Sequence, residues 1–109
     1  MDTNDALAAF AALSQSTRLD VFRLLIKAGE AGMSAGDIGG TLGVRQNTMS
    51  ANLSILTRAG LIRSTREGRS IRYFANMDGM RGLLAFLMED CCGGCPDLCK
   101  PLLDEIACG

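Results

Sequence analysis

Immediately after Gly60 the apolar residues stop recurring at helical spacing and begin to alternate, and by Met80 the helical spacing has returned. A chain with that order of periods sets one β-hairpin into a run of helices and leaves no place for a βαβ pattern. Over residues 5–27, Leu7, Phe10, Leu13, Val21, Phe22, Leu24, Leu25 and Ile26 follow near-helical spacing. The run breaks at Ser14, Gln15, Ser16 and Thr17, where Ser and Thr offer N-cap oxygens, so two helices are expected rather than one. Gly29 and Gly32 close the second. Ser34, with Asp37 three residues on, opens a short helix ending near Leu42. Gly36, Gly39 and Gly40 each lower its intrinsic stability by up to ~1 kcal/mol relative to Ala, so tertiary contacts must hold it. Gly43 suits a left-handed turn, and over residues 46–58 Met49, Leu53 and Leu56 form an apolar stripe that stops at Gly60. Gln46, Asn47, Ser50 and Ser54 fall on the polar face of that helix. Two helices joined by a short turn containing Gly outline a helix-turn-helix.

Beyond Gly60, residues 61–66 and 70–75 alternate and flank Glu67, Gly68 and Arg69, which reads as a hairpin with Gly68 at its tip. From residue 77 to about 90, Met80, Leu83, Leu84, Phe86, Leu87 and Met88 form an apolar helix broad enough to face the core and a second surface. The methionines in it read as core filler. The chain has 109 residues, 48% of them hydrophobic, which suits one compact domain. The expectation is a mainly α fold with a β-hairpin, a winged helix-turn-helix, over residues 1–90, and a cysteine-rich module over residues 91–109.

Net charge conceals the distribution that matters. The total is −1, yet between Arg45 and Arg72 six arginines (Arg45, Arg58, Arg63, Arg66, Arg69, Arg72) stand against Glu67 alone, a local +5, and the segment from Glu89 onward carries −4. Arginine presents a planar fork suited to phosphates and guanine edges. In a winged helix-turn-helix, Gln46, Asn47, Ser50 and Ser54 would face base edges, with Asn or Gln able to pair with adenine, and Arg45, Arg66 and Arg69 would meet the duplex around them. Double-stranded DNA is therefore the expected partner. The glycines of residues 36–43 are no phosphate loop, because no Gly-Lys-Ser/Thr follows. No apolar run reaches the roughly 18–20 residues of a membrane span, and the N-terminus is acidic, so a cytoplasmic protein without a membrane partner is expected.

There is no histidine, which excludes Ser-His-Asp and Cys-His machinery and every His-containing zinc site, so an enzyme of those classes is not expected. Five cysteines remain: Cys91, Cys92, Cys95, Cys99 and Cys108. In a reducing compartment such a cluster is a metal or redox site before it is a disulfide framework.

Residues 13–22 (LSQSTRLDVF) and 50–62 (SANLSILTRAGLI), with Arg66, Glu67, Gly68, Arg69 and Tyr73, resemble the second helix, recognition helix and wing of the ArsR/SmtB metalloregulatory repressors. The resemblance spans roughly residues 7–90 and implies a homodimer paired through the first and last helices, bound to an imperfect palindrome and released by a soft or transition metal. It departs at Asn52, where the family often has His, with a consequence expected for base or backbone contacts.

Thiolates select soft ions. Trivalent arsenic or antimony takes three sulfurs in a pyramid, whereas zinc prefers four tetrahedral ligands, for which adjacent Cys91 and Cys92 are awkward corners. Cadmium, lead, zinc or an iron-sulfur cluster stays open on the four clustered thiols, as does a thiol-redox regulator using Cys92 and Cys95. Adjacent cysteines just after the last helix are similar to an arrangement in the family, and its zinc-sensing branch needs His on that helix. Arsenite, with antimonite beside it, is the inducer so implied, held by Cys91 and Cys92 with Cys95 or Cys99. No organic cofactor is expected.

Overall fold

The computed structural model describes residues 1–88 together with Pro101 and Glu105. In chain order the elements are α1 (Thr3–Leu13), α2 (Ser16–Ala28), a 3-10 turn (Gly29–Ala31), β1 (Met33–Ser34), α3 (Ala35–Leu42), α4 (Gln46–Arg58), β2 (Ile62–Glu67), β3 (Ser70–Ala75) and α5 (Met77–Leu87). This is the expected mainly α fold with a β-hairpin, a winged helix-turn-helix. The boundary after residue 90 and all five cysteines lie outside the described residues.

Local chemistry explains where the helices begin. At the start of α1, Asp2 Oδ1 accepts from the Asp5 backbone N–H at 2.7 Å and Asp5 Oδ2 accepts from the Asp2 N–H at 3.5 Å, a reciprocal cap that begins the helix two residues before the apolar rhythm. Between α1 and α2 the expected Ser or Thr cap is replaced by Gln15, whose Oε1 accepts from the Arg18 N–H at 2.9 Å. Ser14 instead donates back to the Ala11 carbonyl at 2.8 Å and helps close α1. Ser34 caps α3 as expected, accepting from the Asp37 N–H at 3.2 Å, and Gly43 ends it in the left-handed region at φ 68°.

The hairpin gains a third strand that alternation could not reveal. β1 has only two residues and pairs antiparallel with β3, giving the order β1-β3-β2. At the tip, Glu67 pairs with Ser70, leaving Gly68 and Arg69 as a two-residue loop with Gly68 at φ 63°. The last helix stops at Leu87, short of residue 90. Asn76 fixes its start: the backbone N–H donates to the Leu61 carbonyl at 2.9 Å and Nδ2 to the Gly60 carbonyl at 2.9 Å. Gly79 then lies so close to that same Gly60 carbonyl that a Cβ would collide with it.

One core joins these elements: Ala6, Ala9 and Ala12 of α1, Val21, Phe22 and Leu25 of α2, Ile38 of α3, Met49, Leu53 and Leu56 of α4, then Leu61, Ile62 and Leu83. Helix α1 buries only alanines, so its backbone packs closely while Leu7 and Phe10 stay exposed. Helix α5 buries Leu83 and leaves Leu84 and Leu87 exposed. Met49 is core filler, but Met77 is 53% exposed, which corrects the reading of that residue as core. Among the described residues no helix is long and apolar enough to cross a membrane.

Candidate nucleic-acid interface

Helix α4 is presented by its apolar side. Met49, Asn52, Leu53 and Leu56 are buried, which turns Gln46, Asn47, Ser50 and Ser54 outward, all exposed. Residues 46, 50 and 54 lie one turn apart along the exposed surface. Arg45 is the N-cap of α4, with an extended backbone, and is exposed at the N-terminal end of that helix.

The wing approaches from the other side. Antiparallel register pairs Arg66 with Ile71 and Ser64 with Tyr73, so these four share a face, the one that ends in buried Ile62. Ile71 and Tyr73 join Arg69, Ser70, Gln46, Ser50 and the start of α3 around a cleft of about 390 Å³. Three expected DNA-contacting residues, Gln46, Ser50 and Arg69, therefore converge on one cleft between recognition helix and wing.

The local +5 is not one surface. Arg63 and Arg72 lie on the opposite face of the hairpin, beside Phe74 and Thr65. Arg63 Cζ stands 4.5 Å from the Phe74 ring centroid, a cation–π contact. Arg72 Nη1 donates to the Ala31 and Gly32 carbonyls at 3.0 and 3.1 Å, and Nε lies 3.5 Å from Glu67 Oε2. Arg72 thus fastens the wing to the turn before β1, while Arg63 is held within the hairpin. Arg58, at the far end of α4, donates to Ser54 Oγ at 3.4 Å. Among the described residues no ion pair holds Arg45, Arg66 or Arg69.

Two side chains differ from the sequence reading in what they offer a duplex. Asn47 Oδ1 accepts from the Thr48 N–H at 2.9 Å, which occupies one of the two acceptor sites of its side-chain oxygen. Asn52 is 6% exposed and faces the core, bonded to Arg18 Nη1 at 3.3 Å. It is thus turned away from the exposed face that carries Gln46, Asn47, Ser50 and Ser54, which only the tertiary packing shows. Among the described residues no three Cys, Asp or Glu side chains come together to hold a metal ion. The expected ligands Cys91, Cys92, Cys95 and Cys99 lie outside the described residues.

A helix-turn-helix domain family model matches residues 13–65, from the end of α1 into β2. The structure is similar to an ArsR-like transcriptional regulator from Rhodococcus sp. RHA1, at 25% identity and a TM-score of 0.70, over 97% of this chain and 96% of that one. It is also similar to the homodimeric winged helix-turn-helix DNA-binding domain Mb0332 from Mycobacterium bovis, a possible ArsR-family transcriptional regulator, at 26% identity and a TM-score of 0.65, over 80% of this chain and 81% of that one. HlyU from Vibrio cholerae N16961 matches at 25% identity and a TM-score of 0.63, over 80% of this chain and 97% of that one. Curated proteins give no match.

Proposed function

We propose that the chain is an ArsR/SmtB-type DNA-binding transcriptional regulator, as the helix-turn-helix match and the ArsR-like structural neighbours support, and that it is an arsenite-responsive repressor. It binds operator DNA as a homodimer when its thiols are free and leaves the operator when the tail cysteines bind trivalent arsenic or antimony. One observation carries the ligand: four cysteines, Cys91, Cys92, Cys95 and Cys99, follow the last helix within nine residues of a chain without histidine. That donor set suits a soft centre satisfied by three sulfurs. Cys91 and Cys92 with Cys95 or Cys99 would hold it, and Cys108 is left as a spare.

The dimer is supported by exposed apolar side chains on both terminal helices, Leu7 at 59% and Phe10 at 38% on α1, Leu84 at 41% and Leu87 at 52% on α5. The homodimeric state of the Mycobacterium bovis domain points the same way. Two recognition helices about 34 Å apart would enter successive major grooves of a palindrome. Gln46, Asn47, Ser50 and Ser54 read base edges there, while Arg45, Arg66 and Arg69 meet the backbone. Since Cys91 comes four residues after Leu87, the last residue of α5, drawing the thiols together would restrain the end of that helix and shift the dimer away from its DNA-competent geometry. By linkage the inducer must then bind the free dimer more tightly than the bound one, typically by ~1–3 kcal/mol.

Fluorescence anisotropy of the full chain on a labelled duplex from upstream of its own coding sequence tests this. Binding that arsenite reverses, and that Cys91→Ser or Cys92→Ser makes insensitive to arsenite, is the expected result. The spacing of Cys92 and Cys95 favours one second reading, a thiol-redox regulator. Release by a thiol oxidant and not by arsenite would select it, and release by zinc, cadmium or lead alone would reassign the metal.

A further inference from the structure

Asn52 is the one polar side chain buried in the core among the described residues. Arg18 reaches it from the first turn of α2. Its Nη1 donates to Asn52 Oδ1 at 3.3 Å, and its Nε donates to the Ala12 carbonyl at 2.7 Å. Ala12 lies in the last turn of α1, where carbonyls lack partners within the helix. A single half-buried guanidinium thus joins the end of α1 to the middle of α4, and its own backbone N–H is held by Gln15 at 2.9 Å.

The apolar contacts of Met49, Leu53 and Leu56 hold α4 against the core, but such contacts have no preferred direction. A hydrogen bond does. Asn52 lies about 200° around the helix from Ser50, so fixing it sets where the base-facing side points. A rotation of α4 by ~20°, at a side-chain radius of ~5–6 Å, moves a tip by ~2 Å. That exceeds the tolerance of a hydrogen bond to a base edge.

We propose that Arg18 is a positioning residue for operator recognition: by tying Asn52 to the last turn of α1, it holds α4 at the rotation in which Gln46, Asn47 and Ser50 face the bases. The assignment rests on α4 as the base-reading helix and not on the identity of the inducer. Its planar fork is what allows two acceptors on different helices to be met at once, which a lysine ammonium on a flexible stem does poorly.

The test is the double variant Arg18→Met, Asn52→Leu in the full chain, which replaces both side-chain partners by apolar groups so that neither is left buried alone. Its melting temperature should stay near that of the parent. Amide hydrogen exchange in residues 49–56 should nevertheless quicken about tenfold. The ratio of affinity for the upstream duplex to that for a scrambled duplex of equal length should fall about tenfold, with affinity for the scrambled duplex within twofold of the parent. Arg18→Lys, which keeps the charge and covers the case of a double variant that folds poorly, should move both readouts the same way by about threefold. Parent-like exchange in α4 together with a parent-like affinity ratio overturns the proposal. A parent protein that does not distinguish the two duplexes refutes base reading by α4, and the exchange measurement then decides the Arg18 link separately.

Discussion

Adjacent glycines in α3 should respond in opposite directions to the same substitution. Gly39 and Gly40 both lie within α3, and neither has a left-handed backbone. A Cβ on Gly40 meets nothing within 4 Å, so Gly40→Ala removes backbone entropy from the unfolded chain at no steric cost. The gain is about 0.5–1 kcal/mol, or roughly 2–8 °C in midpoint for a domain of this size. Gly39 is buried, and a Cβ there lies 3.0 Å from the Val44 carbonyl oxygen. Val44 has little freedom to retreat, because its own N–H donates to the Gly39 carbonyl at 3.0 Å in the turn that aims α4. Overpacking of that kind costs ~1–3 kcal/mol, which exceeds the helix gain and leaves a net loss of about 1 kcal/mol. Thermal melts followed by circular dichroism, at one fixed protein concentration because self-association shifts the midpoint, measure both variants. Gly39→Ala should also weaken operator binding, since the turn between α3 and α4 moves. A midpoint for Gly39→Ala raised as far as that for Gly40→Ala would refute the close-packing argument.

Gly79→Ala should destabilise by about 2 kcal/mol or more, because a backbone carbonyl stands where the methyl must go and α5 has to lift; calorimetry checks it. Arg69→Ala should weaken binding to all duplexes alike and flatten the logarithmic salt dependence by about one unit if it holds one phosphate, whereas a loss confined to the operator would mark a base contact. Leu84→Asp should yield a folded monomer by sedimentation equilibrium, since Leu84 is 41% exposed and lies on the surface that another copy covers in the proposed dimer. An unchanged dimer would place the interface elsewhere.

Helix existence, the Gly43 turn and the hairpin were readable because each depends on neighbours a few residues away: an apolar rhythm, a glycine where φ is positive, an alternation. Caps were less so. The Asp2 and Asp5 cap was missed because the apolar rhythm begins only after it, and Gln15 is an uncommon cap that competed with better-known neighbours. Strand β1 was invisible, since two residues carry no period and only pairing with Tyr73 and Arg72 makes them a strand.

The outward-facing set Gln46, Asn47, Ser50 and Ser54 follows from helical geometry once Met49, Leu53 and Leu56 define the inner side, and its exposure in the folded chain agrees with that. Arginines are different, because a long side chain takes its partner from whatever the fold brings near. In the chain Arg63, Arg66, Arg69 and Arg72 look alike. In the fold, strand register turns two of them to Phe74 and to carbonyls some forty residues away, while Arg66 shares the cleft-side face of the hairpin and Arg69 lines the cleft. Asn52 shows the same division in one residue. Its place on α4 is local, but whether an amide there meets a base or the Arg18 guanidinium depends on how α1, α2 and α4 are packed, a long-range matter that no local pattern encodes.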